Sequence, residues 1–445
     1  MPKAPPTTFR SLSVRNFRLF AAGQLVSVAG TWTMVVAQDW LVLGMTGDSA
    51  TALGIVTALQ FAPVLLLTLY GGRLADLYDK RMLLTLANLA AGALALTLAV
   101  LDLTGTVRLW HVWLLALGVG IVNAVEVPTR MSFVGELVGN ELLPNASSLS
   151  AAYFSIARVA GPALAGLLIT AFGTGWAIAL NGVSYLATVA GLRMVRPEEY
   201  RGRVVADGAA GREEVRVRDG LRYTASRIDL TLPMLLVAAI GLFGMNFPLT
   251  LPLLAKTVFR ADAASFGLLT ASFASGSLLG AIAGTRRSGR PAARTVIGAA
   301  LAFGVLEAAA GWAPGFIGAA CLLGLTGFAS VYFLQAANHR IQLGSDPHYR
   351  GRILALYTVI LQGTTPLGAL LVGLLTERLG ARAGLWSGGL VSVVAALVAF
   401  VFEHRRTRRP SDREEASEDA RVRLRSDTDP DERPVRGAAP GGQEG

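Results

Sequence analysis

The sequence predicts an all-α membrane protein, with twelve transmembrane helices in two pseudo-symmetric six-helix bundles. Three observations predict it. Of the 445 residues 53% are hydrophobic and the mean hydropathy is +0.50, too apolar for a chain whose whole surface must be wetted. The charged residues, 16% of the total, collect in clusters between apolar runs long enough to cross a bilayer. A polar stretch from about Arg196 to Leu230 divides those runs into two sets of six.

The first six spans start near Phe17, Ala52, Arg81, Trp110, Leu143 and Thr174. The second six start near Thr231, Ser265, Arg294, Gly315, Arg352 and Gly384. The expected organisation is a cytoplasmic segment at 1–16, a bundle at 17–195, a cytoplasmic linker at 196–230, a second bundle at 231–403 and a tail at 404–445. The tail is nearly devoid of apolar residues and its opposite charges nearly cancel, so disorder is expected there. The N-terminus is basic (Lys3, Arg10, Arg15, Arg18), and the run that follows is too long for a signal peptide and lacks a small-residue cleavage site. It is read as the first span. The 50 glycines suit helices packed closely in lipid.

Positive charge falls in alternate loops: Arg73, Lys80 and Arg81; Arg130; the central linker; Arg286, Arg287, Arg290 and Arg294; Arg340, Arg350 and Arg352; and Arg405 to Arg409. The intervening loops carry little, with Lys256 and Arg260, and Arg378 and Arg382, as mild exceptions. By the positive-inside rule both termini are cytoplasmic, and an even number of spans agrees. The same placement argues that the net charge of +10 serves topology and not nucleic acid, since no stretch interleaves basic and aromatic residues. Cys321 is single, which excludes an internal disulfide and a cysteine metal cluster, and the four histidines have no metal-ligand spacing. The preference for Arg over Lys suggests a GC-rich bacterial genome.

The turn between the second and third spans reads Gly72-Arg73-Leu74-Ala75-Asp76-Leu77-Tyr78-Asp79-Lys80-Arg81. It resembles the loop signature of the major facilitator superfamily, with Gly72, Leu74, Ala75, Asp76 and the basic pair in place. Asp79 stands where the family has Gly, and Leu77 where it has Arg. The Asp-basic-basic ending is similar to the branch that holds enterobactin exporters and macrolide-efflux proteins. Asp76 is expected to face the positive N-terminus of a helix in the other half and to latch the cytoplasmic side; a plain solvated turn is the alternative. The acidic Glu126, one helical turn from Arg130, is expected to join the same network as a gate. The corresponding turn of the second half, at 284–290, lacks the Asp.

Helix five carries Gly161-Pro162-Ala163-Leu164-Ala165-Gly166. It resembles the Gly-Pro-x-x-Gly-Gly motif of the superfamily's antiporters, where Gly161, Pro162 and Gly166 match and Ala165 departs. The motif implies export. Ordinary small-residue packing accounts for the same pattern. The stretch from Pro144 to Asn181 also resembles the enterobactin-exporter branch, and Thr365-Pro366 to Gly373 faintly echoes helix five in the second half.

Charges inside a membrane are costly and usually functional. Asp39 lies on helix one, Arg158 lies about 20 Å into helix five, and Glu307 lies towards the outer end of helix nine. These three are the proton-coupling candidates. Asp39 and Arg158 are expected to approach each other, either as a proton switch whose partner comes and goes or as a permanent structural pair. Glu307 has the further option of reaching the outer headgroups. Gln24, Thr33, Gln60, Asn123, Asn246, Gln335, Asn338 and Gln362 are the polar candidates for the substrate cavity. Trp32, Trp40, Phe243, Phe247 and Phe333 stack on substrate or serve as packing and interface anchors.

No Gly-x-x-x-x-Gly-Lys-Ser/Thr loop is present, so ATP is not the energy source, and no nucleophile–base set stands at useful spacing. The expectation is a monomeric secondary transporter of the bacterial cell membrane with no cofactor. The resemblance implies proton-driven export of amphipathic small molecules such as drugs, siderophores or secondary metabolites. The alternatives are a facilitator or importer of a nutrient or lipid, and a non-transporting sensor on a transporter fold.

Overall fold

The computed structural model describes residues 7–201, 222–286, 289–346 and 349–428, with the side chains of 7–8 and 406–428 left aside. Eleven of its helices are long and apolar enough to cross a membrane, and no strand occurs among the described residues. In chain order the first half has α1 (Arg15–Thr46), α2 (Ala50–Leu77), α3 (Lys80–Leu103), α4 (Leu109–Phe172) and α5 (Thr174–Met194). The second half has α6 (Ile228–Phe243), α7 (Phe247–Leu253), α8 (Ala263–Thr285), α9 (Ala293–Trp312), α10 (Phe316–Gly344), α11 (Arg350–Leu379) and α12 (Ala381–Thr428).

The 64 residues of α4 are two spans joined at Gly139, whose φ of 76° and ψ of 170° only glycine adopts freely. Taking its arms separately gives the twelve expected crossings. In the second half α6 breaks at Gly244–Asn246, and α7 with the π turn Leu254–Val258 completes that crossing.

Side-chain caps set several starts. Ser49 accepts from the Ala52 amide at 3.2 Å, Asp79 from Met82 at 2.7 Å, and Asp262 from Ser265 at 2.9 Å. That last bond, to an exposed carboxylate outside the span, holds the Asp262 carboxyl below the usual carboxylate range. Asn16 is fully buried and exchanges two hydrogen bonds with the backbone of Arg196, at 2.8 and 3.1 Å, tying the start of α1 to the start of the linker. Around it Phe17, Phe20, Leu84, Phe133, Leu137 and Leu192 form the core at the terminus end of the first half.

Residues 398–445 form a unit apart from 1–397. Composition alone argues for a disordered tail, yet the backbone stays helical to Thr428; residues 411–428 hold neither Gly nor Pro, the strongest helix breakers. The rest of the tail, most of the linker, and Arg287 of the basic series lie outside the described residues.

Two seams join the halves. One is α2 against α11: a side chain on Gly54 would meet the Ala369 carbonyl at 2.5 Å, and one on Gly373 the Ala50 carbonyl at 3.1 Å. The other is the second arm of α4 against α8, where Gly267 abuts the Pro162 carbonyl and Gly166 abuts Ala264. Backbones approach closely at these glycines, the usual way to gain contact where lipid is as apolar as the helix. Gly267→Leu should therefore lower stability by about 3 kcal/mol, read as a fall in Tm in detergent. Gly44→Ala, which meets nothing within 4 Å in the same test, should leave Tm unchanged or slightly raised.

Candidate transport path

Along α1, Val28, Trp32, Val35 and Asp39 recur at helical spacing and share one face. That face lines two cavities. The larger, about 330 Å³, is walled by the first half together with Gln362 of α11. Its polar wall includes Asn88, Asn123, Glu126, Arg130 and Tyr185. The smaller, about 70 Å³, lies between the halves and is bounded by Trp32, Asp39 and Arg158 on one side and Phe247, Phe266 and Phe273 on the other. Trp32 belongs to both walls.

Glu126 and Arg130 are paired at 3.0 Å, one turn apart, with the guanidinium 4.5 Å over the ring of Phe154. Glu126 does not join the network of the 72–81 turn. The carboxylate that does is Glu136, ten residues further and so about 15 Å along the helix, which takes Lys80 at 2.7 Å. Arg81 donates to the carbonyls of Leu192 and Arg193 at 2.8 and 3.0 Å. The basic pair thus stitches its own half together. Asp76 is exposed and has no partner among the described residues, and a side chain on Gly72 would meet no other part of the structure within 4 Å. In this structure the expected latch is not made.

Asp39 and Arg158 line one cavity, but no ion pair joins them. Arg158 instead sits against two ring faces, Trp32 at 5.4 Å and Phe273 at 6.0 Å. Asp39 is 5% exposed and its Oδ2 has no hydrogen-bond partner. Glu307 does not reach outward to headgroups; it is 2% exposed and turned into the second half. Its oxygens lie 2.8 and 3.0 Å from where side chains on Gly388 and Gly244 would begin, so two glycines leave the room it fills.

The helix-five motif touches both neighbours: Gly161 faces Trp32 of α1, while Pro162 and Gly166 face α8. Thr33 lies at the contact of α1 with α4 and lines neither cavity, donating to the carbonyls of Ala29 and Gly161 at 2.9 and 3.2 Å. Of the other polar candidates, Asn123 and Gln362 line the larger cavity. Gln24, Gln60, Asn246, Gln335 and Asn338 line neither; Asn246 donates to the Leu242 carbonyl at 2.9 Å beside the α6 break. Phe333 is fully buried in the core. Asn88, Tyr185, Phe266, Phe273 and Glu136 escape a reading of the sequence. Asn88, an amide within an apolar run, is the one whose type and place give a local signal.

At the end opposite the termini the halves are tied by charge. Asp48 pairs with Lys256 at 2.6 Å, and the ammonium lies 5.5 Å over Trp40, itself stacked on Phe266. Glu377 of α11 accepts from the Ser49 hydroxyl at 3.1 Å and the Thr51 amide at 3.0 Å, a carboxylate from one half on the helix N-terminus of the other. The α2–α11 seam runs as far as Leu65 beside Gly363. Beyond it α2 emerges, with Leu69 86% exposed and Tyr70 67% exposed. These contacts join the two halves at the far end. Replacing both Asp48 by Asn and Glu377 by Gln should speed labelling of Val35→Cys, in a Cys321→Ala background, by an impermeant thiol reagent added at the far side. Unchanged labelling would mean the apolar seam alone keeps that end shut.

Three comparisons bear on the arrangement. The family model described as transmembrane secretion effector matches residues 6–435. The chain is 25% identical over 391 residues to the multidrug efflux pump Tap of Mycolicibacterium fortuitum, covering 86% of this chain and 93% of that one. It is 24% identical to macrolide efflux protein A of Streptococcus pyogenes, covering 88% and 97%. It is also 25% identical to the staphyloferrin A transporter of Staphylococcus aureus, a match that spans 59% of this chain and 65% of that one. In three dimensions it is similar to a bacterial homolog of the human lysosomal transporter Spinster, with a TM-score of 0.70 at 14% identity over 88% of this chain and 97% of that one. The nucleoside transporter NupG gives a TM-score of 0.69 at 11% identity, over 87% and 98%.

Proposed function

The chain belongs to the transmembrane secretion effector family of the major facilitator superfamily, and from that premise we propose that it exports amphipathic small molecules in exchange for protons. It is a membrane transporter and not an enzyme, it needs no cofactor, and an ion gradient drives it. The observation that carries the exporter reading is the pair of cavities between and beside the halves, with the halves joined at one end by Asp48 and Lys256. Relatives named for multidrug and macrolide efflux support the direction.

By the positive-inside rule the terminus end, where the basic clusters lie, is read as the cytoplasmic end in a bacterial cell. The path is then open to the cytoplasm in this state and closed to the outside. Switching parts Glu377 from α2 and Lys256 from Asp48, and brings Asp76 to the second half. The bundles at 17–195 and 231–403 are the moving bodies of a monomer. Glu126 with Arg130, in the wall of the larger cavity, is the inner gate; Pro162 and Gly166 give α4 the close contacts with α8 about which the halves rock, and Gly161 holds α4 on α1 within the first half.

Asp39 is the proton carrier. A partnerless carboxylate in an apolar wall between two moving bodies meets each compartment in turn. Glu307 is a second carrier within its own half, where the break in α6 lets the backbone shift around it. The test is transport in vesicles with an imposed pH gradient and a lipophilic dye. Wild type should move the dye only with the gradient, and Asp39→Asn should lose that movement while keeping its Tm. Glu307→Gln should weaken the gradient dependence by a smaller factor. Full activity in Asp39→Asn would remove it from the coupling path. Movement that ignores the gradient in wild type would point to a facilitator, and binding without flux to a sensor.

A further inference from the structure

Interior and interfacial cations elsewhere have oxygen acceptors: Lys80 has Glu136 at 2.7 Å, Arg130 has Glu126 at 3.0 Å, Lys256 has Asp48 at 2.6 Å, and the buried Arg340 donates to the Pro291 carbonyl at 2.9 Å. Arg158 has none among the described residues. No carbonyl, hydroxyl or carboxylate among them accepts a hydrogen bond from it, and the one acidic residue in its cavity, Asp39, is not paired with it. What holds it is the ring of Trp32 from the first half and the ring of Phe273 from the second. Two ring faces fix where a guanidinium sits, yet they engage its π face and leave its N–H donors unused.

An unpaired guanidinium within a membrane protein is costly, and the cost is relieved by an anion. Arg is also the side chain best shaped to take an oxyanion with two parallel hydrogen bonds. The surroundings say what the anion would be attached to. Trp32, Phe247, Phe266 and Phe273 make the wall aromatic, with Val35 and Leu251 between them. The cavity of about 70 Å³ holds little more than the charged end of a molecule. Trp32 is shared with the cavity of about 330 Å³, so a flat body lying there presents its end to Arg158 past the indole.

We infer that the exported substrate carries an oxyanion, a carboxylate or a group of like size, at one end of an apolar aromatic body, and that Arg158 selects for it. The inference rests on the exporter reading and narrows its substrate class. Asp39 keeps its separate task, since its free oxygen is not engaged by Arg158 and an anion on the guanidinium displaces nothing.

Three probes of one shape test it: 2-naphthylacetate, its methyl ester, and 2-(2-naphthyl)ethylamine. Binding is measured by titration calorimetry on protein in nanodiscs, with empty nanodiscs subtracted. Wild type should bind the acid at least about tenfold more tightly than the ester or the amine, the worth of one charged hydrogen-bonded pair. Arg158→Gln should bring the acid-to-ester ratio within about twofold of one. Arg158→Lys keeps the charge but not the fork of donors, and should give an intermediate ratio. Preference of wild type for the ester or amine overturns the inference, as does an acid preference that survives in Arg158→Gln. If either occurs while vesicles still export a lipophilic dye on a pH gradient, the exporter reading stands and this one alone falls. Absence of binding by all three, together with no gradient-driven dye movement, overturns both.

Discussion

Close backbone contact between two halves that must also part is the constraint on which the rest of the structure depends. In lipid no hydrophobic force drives one apolar helix onto another, so contact has to come from fit. Gly54 and Gly373 supply it between α2 and α11, and Gly166 and Gly267 between α4 and α8. At these glycines backbone lies directly against backbone. The seams hold by short-range contact that a small rotation removes, and this leaves the choice of which end is open to a few polar contacts.

Those polar contacts are distributed unevenly, and the unevenness gives the structure its direction. At the far end Lys256, Asp48 and Glu377 cross between halves. At the terminus end Lys80, Arg81 and Glu136 tie the first half to itself and leave Asp76 free. The second half does the equivalent without the missing Asp of its turn: Arg290 takes Asp229, at the start of α6, at 2.8 Å. Both halves are thus internally cross-linked at that end, as bodies that move rigidly need to be. The contacts that cross between the halves at the far end are the ones to be broken and remade in every cycle.

Within the path the charges differ in how they are settled. Glu126 and Arg130 settle each other locally, because residues four apart on a helix are neighbours whatever surrounds them. Arg158 is settled by aromatic faces from two helices, Glu307 by the space two glycines leave, and Asp39 by no group among the described residues. Only the first arrangement can be seen in one stretch of chain.

The sequence by itself determined the class of the molecule. Hydropathy is local and nearly additive, so twelve apolar runs, the central division and the alternation of positive loops could be read directly. The turn from Gly72 to Arg81 and the Gly161–Gly166 motif were equally legible, since each is a short stretch with its own spacing. Only the tertiary structure decided partners. Lys80 meets Glu136 and not Glu126, Asp39 stands apart from Arg158, Thr33 lies at the contact of α1 with α4 and Glu307 turns inward. Helices in a membrane are free to rotate about their axes until they pack. The face each side chain presents is therefore set by small residues on other helices, which no local pattern around the charged residue contains.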